Sequence, residues 1–323
     1  MAPAPEISMW NGLSCTRLIM PLALLAGLSG CDGLTPGNPA PWRVDMPGAA
    51  KNPPLSAETQ IAQAYYRRIE ANYLAQGQYR TDGGGTDTPF GARDLAANFL
   101  SIVFFDEFSD KDGQLVPTKT QNRLHRWQQP VRLAVEFGVS VPAEQRQTDE
   151  ANITAYLATL SRLTGLPMRM TRLGANHTVL IQNIDERQAA ADRLLELAPE
   201  ASEAAIRSVT RMKPDTYCTV FAFTPGDSAI YDRAVTVIRG ELPDLLRLAC
   251  IHEELAQSLG LVDDSPKARP SIFNDNQEFA LLTRQDELML RMLYDSRLKP
   301  GMTLAEARPI VETIANELVG GDS

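Results

Sequence analysis

Apolar residues recur at every fourth position soon after residue 55, at Ile61, Tyr65, Ile69 and Tyr73. Because residues four apart lie on one side of a helix, this spacing predicts an amphipathic helix. Other stretches have helical spacing or a helix-like content of apolar and polar residues. The predicted helices before the long helix described below are, in chain order, 56–76, 93–105, 149–163, about 185–196 and about 200–208.

Alternation of apolar and polar residues predicts strands in the middle of the chain. Val131, Leu133 and Val135 alternate in this way, as side chains do on the two faces of a strand. The predicted strands are, in chain order, 130–138, 167–173, 178–184, 217–223 and 229–238. Residues 110–113, Asp-Lys-Asp-Gly, are predicted to form a turn. Helices mixed with strands in this order predict an α/β chain of the α+β kind.

A further helix is predicted to begin at Leu242-Pro243-Asp244, since proline suits a first helical turn and aspartate favours the positive end of the helix dipole. This helix carries the main chemical signal of the chain. Glu253, Glu254, Gln257, Gly260 and Asp263 have the spacing of the zinc-peptidase motif His-Glu-x-x-His-x-x-Gly-x-x-His/Asp. On a helix, positions four apart share one face, and a glycine permits the turn that brings the chain back across it.

The dipeptide His252-Glu253 offers a second register for the same motif. In that register the second histidine would fall on Ala256, and Gly260 would lose its place. A helix also turns through about 500° over five residues, so His252 and Gln257 do not share a line along it. We therefore prefer the register on Glu253 and interpret His252 as a partly exposed helix residue beside the cleft.

Two segments beyond the helix extend the likeness to zinc peptidases. Residues 271–273, Ser-Ile-Phe, resemble the Ser-Ile-Met turn beneath the metal of metzincins, and residues 282–294 are similar to their closing helix. Over residues 93–305 the chain resembles a bacterial family of unknown function that is grouped with zincin-like peptidases. The family's Asn/Asp-Asp-Ser signature stands here as Asp-Asp-Ser at 263–265. The resemblance implies a zincin-like mixed sheet packed on helices, with the motif helix below the sheet and a helical C-terminal part.

The first thirty residues have the character of an export signal. Arg17 precedes the apolar run 18–28, which is too short to span a bilayer, and Leu-Ser-Gly-Cys ends at Cys31. That ending is similar to a lipobox, which would make Cys31 a lipidated first residue anchored to the membrane and facing the periplasm. An ordinary cleaved signal with an incidental Cys31 is the alternative, and the choice between inner and outer membrane stays open. We therefore divide the chain into a signal peptide at 1–30, a Pro/Gly-rich lipidated tether at 31–55, and one zincin-like domain with an N-terminal helical extension at 56–323.

Charge and cysteine content narrow the possible partners. The net charge of −9, without a basic patch, argues against nucleic acid as a partner. After removal of the signal and lipidation of Cys31, Cys218 and Cys250 remain as an even pair in an oxidising compartment. We predict a disulfide between strand and motif helix, with free buried thiols as the alternative.

The absence of histidine from the motif affects the choice among three functional interpretations. Glu253, Gln257 and Asp263 could hold a divalent metal through oxygen, but they lack the nitrogen and sulfur donors that zinc prefers. We therefore expect a non-catalytic cleft that binds an extended peptide or an envelope protein, with no cofactor required. The alternative is a metal-dependent peptidase in which Glu254 is the general base. A polar helix face without function is the third interpretation.

Overall fold

The computed structural model describes residues 53–111, 114–274 and 276–320. For residues 107–111 and 114–118 it describes the backbone alone. The described residues fall within one compact unit. Its helices are α1 Ala57–Ala75, α2 Ala92–Val103, α3 Ala143–Thr164, α4 Ile184–Gln188, α5 Ala191–Leu197, α6 Glu203–Thr210, α7 Asp244–Gln257, α8 Arg284–Leu293 and α9 Leu304–Gly320.

The strands form one five-stranded sheet and two small pairs. They are β1 Phe105–Lys111, β2 Gln114–Gln121, β3 Arg126–Trp127, β4 Val131–Phe137, β5 Met168–Met170, β6 His177–Gln182, β7 Cys218–Phe223, β8 Ile230–Tyr231 and β9 Arg233–Arg239. The main sheet has the order β5-β4-β6-β9-β7. Strands β5, β4, β6 and β9 are parallel, whereas β7 runs antiparallel to β9 at the edge.

Alternation along β9 divides the core into two layers. Val235 and Val237 belong to a small cluster that includes residues of α5 and α6. Ala234 and Ile238 belong to the large core cluster, to which α7 also contributes. The sheet is therefore covered by helices on both faces, which explains why the central strands β6 and β9 are almost entirely buried.

The C-terminal part is helical and shares the large core. Helices α8 and α9 pack against each other and against α2. Phe99, Leu290 and Val311, one from each of these helices, are fully buried. The predicted α+β class, with a mixed sheet and a helical C-terminal part, is confirmed.

Several element boundaries differ from the prediction. The predicted strand 229–238 is two strands, β8 and β9, separated at Asp232, and the predicted helix 185–196 is divided into α4 and α5. The hairpin of β1 and β2 was not predicted as strands; Lys111 pairs with Gln114 across residues 112–113, which lie outside the described residues. The signal 1–30, Cys31 and most of the tether also lie outside them. No helix in the described part of the chain is long and apolar enough to cross a membrane.

Candidate functional site

The motif helix α7 is fixed at its beginning by two acidic side chains from other helices. Glu70 of α1 accepts a hydrogen bond from the backbone N–H of Leu246 at 3.0 Å. Arg247 donates from Nε to both carboxylate oxygens of Asp149 at 2.8 Å, and both side chains are buried. A carboxylate at a helix N-terminus satisfies a free N–H and complements the helix dipole. These contacts hold α7 in a defined position beneath the sheet.

Gly260 ends the helix as the motif requires. Its N–H donates to the carbonyl of Gln257 at 2.9 Å, and its φ of +121° lies in the region that favours glycine. A Cβ at this position would stand 2.3 Å from the carbonyl oxygen of His125. The segment at His125 therefore approaches the turn closely, and the chain can pass to Asp263 only because residue 260 has no side chain.

The motif residues on α7 have different environments. Glu254 and Gln257 are buried, whereas Glu253 is partly exposed. Burial raises the pKa of Tyr79, and the charges of Tyr217 and then Glu253 raise it further. Glu253 therefore lies within electrostatic range of Tyr79.

Asp263 is engaged by a cation of the protein itself. Lys119 of β2 forms an ion pair with its carboxylate at 2.8 Å and donates to Ser101 Oγ at 3.1 Å. Burial raises the pKa of Asp263, while the hydrogen bond and charge of Lys119 oppose that rise. The N–H of Asp263 donates to the carbonyl of Ile102 at 3.0 Å. A metal ion bound by Asp263 would have to displace Lys119.

The metal site on Glu253, Gln257 and Asp263 stays a prediction. In the described ranges, no three histidine, cysteine, aspartate or glutamate side chains are grouped as metal ligands would be. Asp263 is paired with Lys119, whereas Glu253 lies within electrostatic range of Tyr79. Lys119 was not predicted from the sequence, because nothing in its local pattern distinguishes it from a solvated lysine of a polar segment.

His252 has a packing role on α7. Its ring stacks on Tyr156 with centroids 4.0 Å apart, and its Nδ1 accepts a hydrogen bond from Leu282 N at 3.2 Å. Tyr156 in turn donates from its hydroxyl to the carbonyl of His252 at 2.9 Å. Burial lowers the pKa of His252 to about 4, so the ring is neutral near pH 7. These contacts give His252 a packing role between α7, α3 and the segment that precedes α8.

The Ser-Ile-Phe turn is held by the aspartate of the closing helix. Asp286 accepts from Ser271 Oγ at 2.5 Å, from Ile272 N at 3.0 Å, and from the N–H and hydroxyl of Thr283 at 2.9 and 2.8 Å. Phe273 is fully buried, and its carbonyl accepts from Ser265 N at 2.9 Å. The Ser-Ile-Phe turn and helix α8 are therefore joined through one buried carboxyl group.

The disulfide between Cys218 and Cys250 is confirmed, with Cα atoms 5.9 Å apart. It joins the first residue of β7 to the middle of α7. Strand β7 pairs with β9 on one side, and no strand of the described residues pairs with its other side. All six residues of β7 are partly exposed. The site therefore consists of an open sheet edge cross-linked to the motif helix.

The register between β7 and β9 determines which backbone N–H and C=O groups of β7 face β9 and which face away. Arg239 N donates to Tyr217 O at 3.2 Å, so Tyr217 faces β9 with its backbone polar groups. Hydrogen-bonded and non-hydrogen-bonded pairs alternate in an antiparallel ladder. Cys218, Val220 and Ala222 consequently direct their N–H and C=O groups to the open side of the strand.

Together these features describe an α+β domain with a zinc-peptidase-like spacing on its motif helix and an open antiparallel edge strand beside it. The chain belongs to the family described as "Protein of unknown function (DUF2927)", whose profile matches residues 92–313. Comparison with curated proteins finds no match to the chain, and comparison with solved structures finds none either.

Proposed function

We propose that this protein is a non-catalytic binding module that takes up an extended peptide along β7. The observation that supports the proposal is the open edge of β7, whose residues Cys218, Val220 and Ala222 direct backbone donors and acceptors away from the sheet. An extended peptide can add to such an edge through main-chain hydrogen bonds, and this needs no metal. The zincin-like resemblance supports the same use, because zincins bind extended peptide on an edge strand above the cleft.

The cross-link between β7 and α7 supports a preformed groove. Cys218 and Cys250 fix the beginning of the strand to the helix, and Glu70 fixes the beginning of the helix to α1. Val220 lies between Cys218 and Ala222, whose side chains pack against the core that contains α7. A site that is already ordered loses less conformational entropy on binding.

The substitution Val220→Pro tests the edge directly. Proline removes the outward N–H and its ring blocks an added strand, while edge strands tolerate proline where the N–H faces solvent. Peptides would first be selected from a random phage-displayed library against the wild-type protein. We expect them to bind Val220→Pro roughly tenfold or more weakly, because at least one backbone hydrogen bond is lost and the neighbouring ones are disturbed.

Val220→Thr is the matched control, since it keeps a β-branched residue and the backbone N–H. Selected peptides should bind this variant as they bind the wild type. Equal binding of the peptides to Val220→Pro would contradict the proposal. The circular dichroism spectra of the three proteins must agree, so that a loss of binding reports on the edge and not on unfolding.

A metal-dependent peptidase is the second candidate, and the burial of Glu254 on the motif helix supports it. A carboxylate in that environment could act as a general base toward a metal-bound water. The test compares wild type with Glu254→Gln after separate dialysis against zinc, manganese and magnesium, because an oxygen-only ligand set suits the last two metals; the selected peptides serve as substrates. Cleavage by the wild type that Glu254→Gln abolishes would favour the peptidase, whereas intact peptide with both proteins would favour the binding module.

We also propose that the protein is anchored in the cell envelope through lipid on Cys31 and faces the periplasm. The Leu-Ser-Gly-Cys sequence supports this, and a thioether-linked lipid together with N-acylation gives the stable attachment that a single acyl chain does not. The Cys31→Ser variant should be absent from the membrane fraction after a high-salt wash. A variant that remains in that fraction would exclude lipidation as the anchor.

A further inference from the structure

A polar groove lies at the segment that approaches the Gly260 turn. It has a volume of about 690 Å³, and its lining includes Asn122, Arg123, His125, Asp227, Ser228 and Lys299. We call it the Arg123–Lys299 groove. Its size falls in the range of grooves that hold a small ligand or a few residues of a peptide.

Backbone hydrogen bonds fix the walls of the groove relative to one another. Leu124 N donates to Met302 O at 2.9 Å, and Gly301 N donates to Leu124 O at 2.8 Å. Arg126 N donates to Ala229 O at 3.3 Å. The three lining segments are therefore joined through the central one, and a ligand would find the groove already formed.

Two cations of the groove are available to an anion. Arg123 donates to the carbonyl of Gly301 at 3.2 Å, which directs its guanidinium toward the segment that bears Lys299. Among the described residues, no carboxylate lies within ion-pair distance of Arg123 or Lys299, and Asp227 is the single acidic residue of the lining. The groove thus combines two positive side chains in a protein whose net charge is −9.

His125 supplies a neutral hydrogen-bond acceptor rather than a positive charge. Its ring stacks on Tyr231 with centroids 5.7 Å apart, and its Nδ1 lies 2.9 Å from the carbonyl of Arg123. Burial lowers the pKa of His125, so the neutral ring donates from Nδ1 to that carbonyl and keeps Nε2 as an acceptor. A ligand with an N–H or O–H near its anionic group would satisfy this nitrogen.

We propose that the Arg123–Lys299 groove binds a carboxylate-bearing ligand, either the free C-terminus of a peptide or a small organic acid. The carboxylate lies between Arg123 and Lys299, and a neighbouring N–H or O–H donates to His125. Arginine and lysine bind carboxylates through charge-assisted hydrogen bonds. The proposal goes beyond the peptide groove on β7, because it depends on the charges of Arg123 and Lys299 and not on the backbone of β7.

The test titrates the full-length protein with three probes: N-acetyl-trialanine with a free carboxylate, the same peptide as its C-terminal amide, and lactate, a small acid whose hydroxyl lies next to its carboxylate. Binding is followed by NMR at the backbone amides of Ser228, Ala229 and Gly301. The free acid should bind at least about fivefold more tightly than the amide, and added salt should reduce the difference. If lactate binds as the peptide acid does, the ligand is a small acid; if the peptide acid binds alone, it is a peptide C-terminus.

Arg123→Gln combined with Lys299→Gln should reduce the affinity for the acid to that for the amide. Arg162→Gln combined with Arg172→Gln changes the net charge equally on exposed residues elsewhere and should have no effect. Equal affinity of acid and amide for the wild type, or an effect of the control pair as large as that of the groove pair, would overturn the proposal. Val220→Pro should leave the acid affinity unchanged, so a failure of the β7 proposal is distinguishable from a failure of this one.

Discussion

Asp286 allows a quantitative prediction, because it is a fully buried acid at the junction of the Ser-Ile-Phe turn and α8. Burial raises its pKa from 3.8 to about 6, although hydrogen bonds from Ser271, Thr283 and Ile272 oppose the rise. A folded-state pKa above the unfolded value means that the native protein binds the proton more tightly. The contribution of Asp286 to the free energy of unfolding is therefore fully present below about pH 4 and is lost as the pH rises through about 6.

The size of this contribution follows from the two pKa values. The pKa of Asp286 is higher by about 2 in the folded protein, and a pKa difference of one corresponds to about 1.36 kcal/mol, so the contribution is about 3 kcal/mol. Other carboxyl groups obscure the effect in the wild type alone. The substitution Asp286→Asn removes the titration while keeping a similar shape, so the difference between wild type and variant isolates it. We expect the stability of the wild type relative to Asp286→Asn to increase by up to about 3 kcal/mol as the pH falls from 7 to 4.

Urea unfolding of both proteins at several pH values between 4 and 7 measures this difference. Glu278→Gln is a control of opposite sign, because the hydrogen bond from Arg269 lowers the pKa of Glu278. Its contribution to stability is present at neutral pH and is lost as the pH falls through the folded pKa. Parallel stability profiles for wild type and Asp286→Asn would refute the reasoning, since they would show a carboxyl group with the same pKa in both states.

Three further changes test features of the site by urea unfolding at pH 7. Cys250→Ser removes a cross-link between residues separated by 32 positions and should cost about 3–4 kcal/mol; a loss below about 1 kcal/mol would contradict the assigned role of the bond. Gly260→Ala places a Cβ against His125 O at a positive φ and should cost about 2 kcal/mol or more, with the exposed Gly226→Ala as a comparison without that contact. Lys119→Met leaves Asp263 buried without its cation and should cost about 1–2 kcal/mol after allowance for the half-exposed lysine; Lys119→Arg should restore most of it.

The sequence predicted the elements whose pattern is local and strong. The alternation in 130–138 became β4, and the apolar spacing after Asp244 became α7, which ends where the Gly260 turn requires. The pairing of Cys218 with Cys250 was predictable because only two cysteines remain after the N-terminal segment. In each case the deciding information lies within a few residues or in a count.

Features that depend on distant partners were not predictable in the same way. The hairpin of β1 and β2 contains Pro117, and its apolar residues Phe105, Phe108, Leu115 and Val116 do not alternate with polar ones, so no strand was predicted there. The ion pair of Lys119 with Asp263 follows from where that hairpin lies and has no local signal. The two-residue strand β3 is too short for any periodicity to predict it, and β8 was predicted only as part of the single strand 229–238.

The open edge of β7 also has a consequence for the protein in concentrated solution. An exposed strand edge can pair with an identical edge on another molecule. Two molecules related by a two-fold axis could join their β7 strands in an antiparallel manner and form a continuous ten-stranded sheet from two sheets of five strands. Self-association of this kind would compete with peptide for the same backbone groups. The apparent affinity for peptide would then decrease as the protein concentration increases.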